Sequence, residues 1–195
     1  LAKHSLTDLT VEAEGDDVDD HHLVEDVGLV LGQALRDALG ERRGIRRYGD
    51  ALVPMDEVLC AAAGDLGGRF AFETDYAPER ETVGALSTEM VPHFFQSLAV
   101  EAKLALHLRL LAPGRNEHHR IEAMTKAFAR ALRAAAEPDP REERVHLLLE
   151  GPSGEQGAQR PAHRAPAPEP AGEHVRQRRL HGNERVVLVD EADAC

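Results

Sequence analysis

Apolar residues along the chain recur with two periods. Leu9, Val11 and Ala13 alternate with polar neighbours, which predicts a strand over Asp8–Glu14. From His21 the spacing changes to threes and fours. Val24, Val27, Leu31 and Leu35 then share one face, so a helix is expected over about His21–Leu39, stopped at Gly40. A Gly- and Arg-rich loop, Gly44–Gly49, leads through Pro54 into an apolar run, Val58–Ala63. A turn at Gly67-Gly68 is expected to return the chain as Arg69–Thr74, the second arm of a hairpin. Ser87 is placed to cap a helix with Met90, Phe94, Leu98 and Ala102 along one side, followed by a strand near Leu104–Leu111 and a turn at Pro113-Gly114. The last helix is expected over about Glu117–Ala136, with Ile121, Met124, Phe128 and Leu132 apolar and Pro138 and Pro140 closing it.

Beyond residue 141 this patterning stops. Pro152, Pro161, Pro166, Pro168 and Pro170 accumulate among Arg, Gly and Gln, and Phe, Tyr, Trp and Lys vanish, the composition of a disordered tail. Two apolar islands in it, Val145–Leu149 and Val186–Val189, have no partner signal nearby. The domain division expected is therefore 1–141, with repeat halves of about 1–40 and 55–137, and a tail over 142–195.

Charge narrows the function. The 195 residues carry 23 Lys+Arg against 35 Asp+Glu, a formal net charge of −12, which argues against nucleic acid and against an anionic membrane surface as partners. No apolar run is long enough to span a bilayer and no secretion signal is visible, so a cytoplasmic location is expected. Two cysteines, Cys60 and Cys195, make neither a disulfide framework nor a CxxC metal spacing. The 11 histidines remain to be explained.

Sliding the chain on itself by 97 positions superposes His21-His22 on His118-His119, Glu25 on Glu122, and Ala34-Leu35-Arg36 on Ala131-Leu132-Arg133 without a gap. Alanine and leucine matches come easily in this composition. Two copies of HHxxE in register do not. The first repeat is expected to begin inside a helix, because the counterpart of His93 would lie upstream of Leu1.

In HHxxE one helical turn projects imidazole and carboxylate together, and adjacent histidines diverge by about 100°, so each pair is suited to feed two ions rather than one. Mixed nitrogen and oxygen donors suit Mn2+, Fe2+ or Zn2+. One such motif alone reads as a solvated acidic face; two in register favour a dinuclear site, with His93 adding a ligand. His4 and His107 read as core or surface histidines. Arg42, Arg43, Arg46 and Arg47 form a basic island that reads equally as a solvated loop or, with Arg69, as an anion site.

Six stretches, DLTVEAEGD, DDHHLVEDVGLVLGQAL, RRGIRRYGDALVPMDE, DLGGR, PHFFQSLA and GRNEHHRIEAMTKAFARALRAA, closely resemble the imidazoleglycerol-phosphate dehydratase family. The resemblance implies an α+β fold: a two-layer sandwich from an internal duplication, ribosomal protein S5 domain 2-like, its first repeat N-terminally incomplete here. It implies a homo-oligomeric 24-subunit shell with two Mn2+ per active site, lying between subunits. By the same resemblance His21, His22, Glu25, His93, His118, His119 and Glu122 are metal ligands. Arg47 and Arg69 bind the substrate phosphate, and Lys126 contacts substrate. Asp56 and Glu57 belong to a motif near the site, Asp56 being assigned to substrate binding. Glu25, Glu122 and Lys126 are the catalytic candidates.

The chemistry implied is elimination of water from imidazole glycerol phosphate to give imidazole acetol phosphate in histidine biosynthesis, through an imidazolate bridging the two metal ions. Departures are also visible. The family's N-terminal strands and their FLDHM-type histidine have no match here, nor does its C-terminal Ser-Thr-Lys-Gly segment, and the tail composition would suit translation out of frame. Two further readings therefore stand beside the enzyme: a non-catalytic metal-binding remnant of the family, and an unrelated metal-storage module.

Overall fold

The computed structural model describes residues 1–14, 20–141, 176–179 and 185–189. Its main sheet has four strands, in the spatial order Tyr48–Met55 (β2), Val58–Asp65 (β3), Ala105–Ala112 (β7) and Ala71–Thr74 (β4). Strands β2 and β3 form an antiparallel hairpin, β7 runs antiparallel to β3, and β4 lies parallel to β7 on the outside. A parallel pair requires a crossover, here supplied by α3 (Met90–Ala102) between β4 and β7. Two short strands, β5 (Thr82–Val83) and β6 (Leu86–Ser87), pair with each other on the way. Helix α4 (Glu117–Ala136) packs across β2 and β3, and α2 (Asp20–Leu39) packs along α3. The core between helices and sheet contains Val58, Cys60, Phe95, Leu98, Leu104, Leu106, Leu108, Met124 and Phe128, with Phe95 edge-to-face on Phe128 at 5.7 Å. No helix among the described residues is long and apolar enough to cross a membrane.

The 97-residue offset that aligns the two HHxxE motifs also carries α2 onto α4 end to end, and β1 (Thr10–Glu14) onto the interior of β7. It carries α1 (Ala2–Ser5) onto the last turn of α3. The C-caps that follow, Leu6 and Lys103, are both left-handed, with φ of 57° and 50°. Packing recurs as well: α3 rests on α2, and α1 rests on α4.

Four expectations need correction. Arg69–Thr74 is no hairpin partner of Val58–Ala63; the hairpin is β2–β3, closed by Asp56 and Glu57. The Gly- and Pro-containing stretch from Tyr48 to Met55 is a strand, and Pro54 fits because β2 is a sheet edge, where a missing N–H costs no ladder bond. Ser87 lies in β6, and α3 starts behind Glu89 without a side-chain cap. The Val186–Val189 island does find a partner: β9 (Arg185–Val189) pairs antiparallel with β1 and with β8 (Arg176–Arg179). Among the described strands, β9 alone pairs with β1, which is therefore an edge of the sheet β1-β9-β8. Val145–Leu149 and the rest of the tail lie outside the described residues.

Candidate metal and substrate site

Two histidine clusters form at helix N-termini. In the first, His21 on α2 lies 4.0 Å from Glu25 one turn on, and its ring stands 5.2 Å from that of His93, in the first turn of α3. His22 points elsewhere on the same turn, its ring 5.9 Å from that of His21 at a steep angle. Helices α2 and α3 reach this contact because Gly28 and Gly32 let the backbones meet. A Cβ on Gly32 would stand 2.4 Å from the Leu98 carbonyl oxygen.

The second cluster is built where α4 meets the β2–β3 turn. Asn116 caps α4, its Oδ1 accepting the His118 N–H at 3.0 Å. His118 faces Glu122 at 3.5 Å, and Glu122 holds Lys126 at 2.8 Å. His119, its ring 6.1 Å from that of His118, turns to the β2–β3 hairpin, 2.9 Å from Glu57 and 3.5 Å from Asp56. Asp56, Glu57 and His119 thus form a group whose donor atoms lie within 4.8 Å of one another, able to hold a metal ion. The turn that brings them together uses Asp56 at φ 47°, a left-handed conformation that a short polar side chain tolerates.

The electrostatics follow these contacts. The hydrogen bond from His119, reinforced by backbone N–H groups, lowers the Glu57 carboxyl to about 2, and the same bond raises His119 above its ordinary value. Lys126 holds the Glu122 carboxyl below the usual range, chiefly through its hydrogen bond. Beneath this surface a buried network fixes the start of α4. Arg120 and Glu117, 3% and 2% exposed, pair at 3.4 Å, and Arg120 also reaches Glu79 at 2.8 Å.

The basic island disperses. Arg42 donates to the carbonyls of Leu66, Ala102 and Lys103, closing the C-terminus of α3, where a cation also meets the helix dipole favourably. Arg43 pairs with Glu41 and Arg46 with Glu137. Arg47, at φ 69°, binds Asp65 side-on through Nε and Nη2 at 2.7 and 3.0 Å, so Asp65 does not use the Nη1 edge. Arg69 is exposed beyond the Gly67-Gly68 turn, and its charge joins that of Arg47 in lowering the Asp65 carboxyl, the Arg47 hydrogen bond being the larger cause. Of the two doubtful histidines, His107 is exposed on β7, and His4 lies in α1 against α4, where burial first and then the charge of Lys126 lower its pKa.

Arg47 is remote from both clusters. Its N–H donates to the Ala135 carbonyl near the end of α4, while His119 is in the first turn. Sixteen residues at 1.5 Å each separate these ends by about 24 Å. Arg42 and Leu66 likewise mark the C-terminal end of α3, whereas His93 is nine residues, about 14 Å, nearer its start.

Residues 1–132 match the sequence pattern of imidazoleglycerol-phosphate dehydratase. The imidazoleglycerol-phosphate dehydratase of Rhodopirellula baltica is 53% identical over 146 residues, 74% of this chain and 72% of that protein. The chain belongs to the imidazoleglycerol-phosphate dehydratase family. The Acidiphilium cryptum member is 55% identical over 142 residues, 72% of each chain. Among solved structures, the Staphylococcus aureus dehydratase aligns with a TM-score of 0.60 at 39% identity, covering 65% of this chain and 71% of that one. The Pyrococcus furiosus dehydratase, solved in complex with (S)-C348, aligns with a TM-score of 0.57 at 26% identity, covering 68% and 90%. This family is metal-dependent, and the Asp56, Glu57 and His119 group is chemically suited to a divalent ion.

One participant escaped sequence reasoning. Glu57 was visible only as part of a motif, and its contact with His119 depends on a hairpin register that the apolar pattern did not reveal.

Proposed function

We propose that the chain is a hydro-lyase that removes water from imidazole glycerol phosphate to give imidazole acetol phosphate in histidine biosynthesis. It uses two Mn2+ per active site and works as a cytoplasmic homo-oligomer. The observation that carries this reading is the paired arrangement of HHxxE helices in a member of this family: His21 with Glu25 and His93, and His118 with Glu122 and Lys126.

His21, His22, Glu25, His93, His118, His119 and Glu122 would hold the ions, whose nitrogen and oxygen donors fit Mn2+. Bound metal supplies Lewis-acid stabilisation of negative charge developing on the imidazole ring. Arg47, which packs against Gly67, and Arg69, just beyond the Gly67-Gly68 turn, would bind the substrate phosphate, Arg47 through the edge that Asp65 does not use. Lys126, its ammonium oriented by Glu122, would contact a substrate oxygen near the second cluster, and Asp56 would do so from beside His119. Glu25 and Glu122 are the carboxylates placed to take part in proton transfer.

A substrate about 10 Å long, counted from standard bond lengths, cannot join Arg47 to His119 within one chain. A phosphate held at Arg47 and an imidazole held at His119 would therefore belong to different copies, which supports a homo-oligomer and agrees with a 24-subunit shell. Turnover of imidazole glycerol phosphate by the purified chain with Mn2+ tests the reading. His21→Ala and His119→Ala should each abolish turnover, and Arg47→Lys should raise KM at least tenfold while changing kcat less. Stoichiometric Mn2+ binding without turnover would leave only the metal-binding remnant.

A further inference from the structure

Glu57 occupies a two-residue turn but is held from two sides. Its Oε1 accepts the backbone N–H groups of Arg115 and Asn116 at 3.1 and 3.0 Å, and its Oε2 lies 2.9 Å from Nδ1 of His119. Gly114, at φ 61°, closes over it so tightly that a Cβ there would stand 2.5 Å from the Glu57 Cγ. The other edge of the His119 ring faces away: Nε2 lies 3.3 Å from the Asn116 amide nitrogen and 3.5 Å from the Asp56 carboxylate.

We infer that Glu57 is a positioning residue: it accepts the Nδ1–H of His119, fixes that tautomer and ring orientation, and leaves the Nε2 lone pair to face the metal. The inference rests on the reading above that His119 is a ligand. Direct ligation by Glu57 is the competing role. Both of its oxygens are committed, Oε1 to two backbone donors and Oε2 to Nδ1, and a cation at Oε2 would have to displace the imidazole proton. A carboxylate on the far nitrogen of a metal-bound imidazole is the usual outer partner of such sites, and its loss costs about 10–100-fold in metal affinity.

Glu57→Gln separates the two functions. A glutamine has one acceptor oxygen, which keeps the backbone bonds of Arg115 and Asn116 while its NH2 turns toward Nδ1. His119 must then carry its proton on Nε2, where it blocks the metal. In the full chain, Glu57→Gln should keep its melting temperature at alkaline pH and lose about 10–100-fold in Mn2+ affinity, measured by electron paramagnetic resonance titration. In metal-free, 15N-histidine-labelled protein at alkaline pH, His119, assigned by difference against His119→Ala, should be the Nδ1–H tautomer in the wild type and the Nε2–H tautomer in Glu57→Gln. A wild-type Nε2–H tautomer overturns the inference, and that spectrum decides alone if the variant does not fold. Mn2+ affinity of Glu57→Gln within twofold of wild type also overturns it, while the site reading survives provided His119→Ala loses the ion. If His119→Ala binds Mn2+ as the wild type does, the site reading falls first and the inference with it.

Discussion

Replacing Gly32 with alanine tests the contact that brings the first histidine cluster together. The added Cβ would stand 2.4 Å from the Leu98 carbonyl oxygen, 3.0 Å from the Glu101 Cβ and 3.1 Å from the Ala102 nitrogen, and two of these atoms are backbone. Ordinary contact begins about 1 Å further out, so α2 must move away from α3 as a body, because close-packed elements do not yield locally. Two effects oppose each other. Alanine favours the helix over glycine by about 1 kcal/mol, and overpacking costs about 1–3 kcal/mol. A clash against backbone belongs at the upper end of that range, so the net loss is about 1–2 kcal/mol. For a chain of this size that lowers Tm by roughly 2–8 °C. The assay is a circular dichroism melt at fixed protein concentration, since assembly adds to apparent stability. Gly28→Ala, whose Cβ would meet the Phe94 oxygen at 2.9 Å, should lose less. With His21, Glu25 and His93 as the ligands proposed, Mn2+ affinity should fall in the same order, since moving the first two by up to about 1 Å relative to His93 exceeds the tolerance of about 0.2 Å in ligand distances. A Gly32→Ala chain as stable as wild type, or more stable, would mean that helix propensity outweighs the clash and that the α2–α3 backbone contact does not limit what Gly32 can become.

Other outcomes follow from single contacts. Arg120→Met leaves Glu117 buried without its cation and should cost about 3–5 kcal/mol in urea unfolding, part of which Glu117→Gln restores in the double variant. Arg42→Ala removes the donor to the Ala102 and Lys103 carbonyls at the end of α3 and to the Leu66 carbonyl after β3, and should cost about 1–3 kcal/mol, with Mn2+ stoichiometry unchanged. The Glu57–His119 pair should also make metal-free stability depend on pH. Glu57, lowered from 4.5 to about 2, contributes above 4.5 and loses its contribution as pH falls toward 2. His119, raised above 6.5, contributes below 6.5 and loses its contribution as pH rises through its folded value. The melting-temperature gap between wild type and Glu57→Gln should therefore be widest between about pH 4.5 and 6.5 and narrow on both sides; a gap independent of pH would remove the pair from the account.

Local signals in the sequence located the helices well, and pairings poorly. Helices α2 and α4 fall within a residue of the apolar period, because each has a buried face of threes and fours and the offset of 97 supplies a second copy of the same pattern. Strand β2 was hidden because Gly49 and Pro54 break the pattern for reasons the sequence does not state. Pro54 lies on a sheet edge, and a Cβ on Gly49 would stand 2.1 Å from the Ala131 carbonyl oxygen of α4. The pairing of β4 with β7 was hidden because a parallel neighbour is chosen by a crossover helix, not by the nearest turn. The same limit separates Glu57 from His119, 62 residues apart in sequence and 2.9 Å apart in space.

The arginines show a different limit. Arg42, Arg43, Arg46 and Arg47 looked alike in sequence, yet the fold gives each a different partner. Arg42 ties the end of a helix to the Leu66 carbonyl, Arg43 meets the exposed Glu41, Arg46 meets the half-buried Glu137, and Arg47 is turned onto Asp65 by a left-handed backbone. A non-glycine residue at φ 69° costs about 1–3 kcal/mol and persists only where its surroundings over-determine it, here two backbone bonds to Ala135 and Leu66 and two side-chain bonds to Asp65. Such rigid aiming is superfluous for a solvated loop and useful for holding an anion. Because the aim is directed about 24 Å from His119, along the length of α4, its use in the homo-oligomer proposed depends on what a second copy places opposite it. Activity should therefore follow assembly. In mixed assemblies of Arg47→Ala chains with His119→Ala chains, each inactive alone, turnover should reappear, since wild-type arginine and wild-type histidine can meet across an interface; mixtures that stay inactive after verified co-assembly would place both residues in one chain's site and refute the geometry.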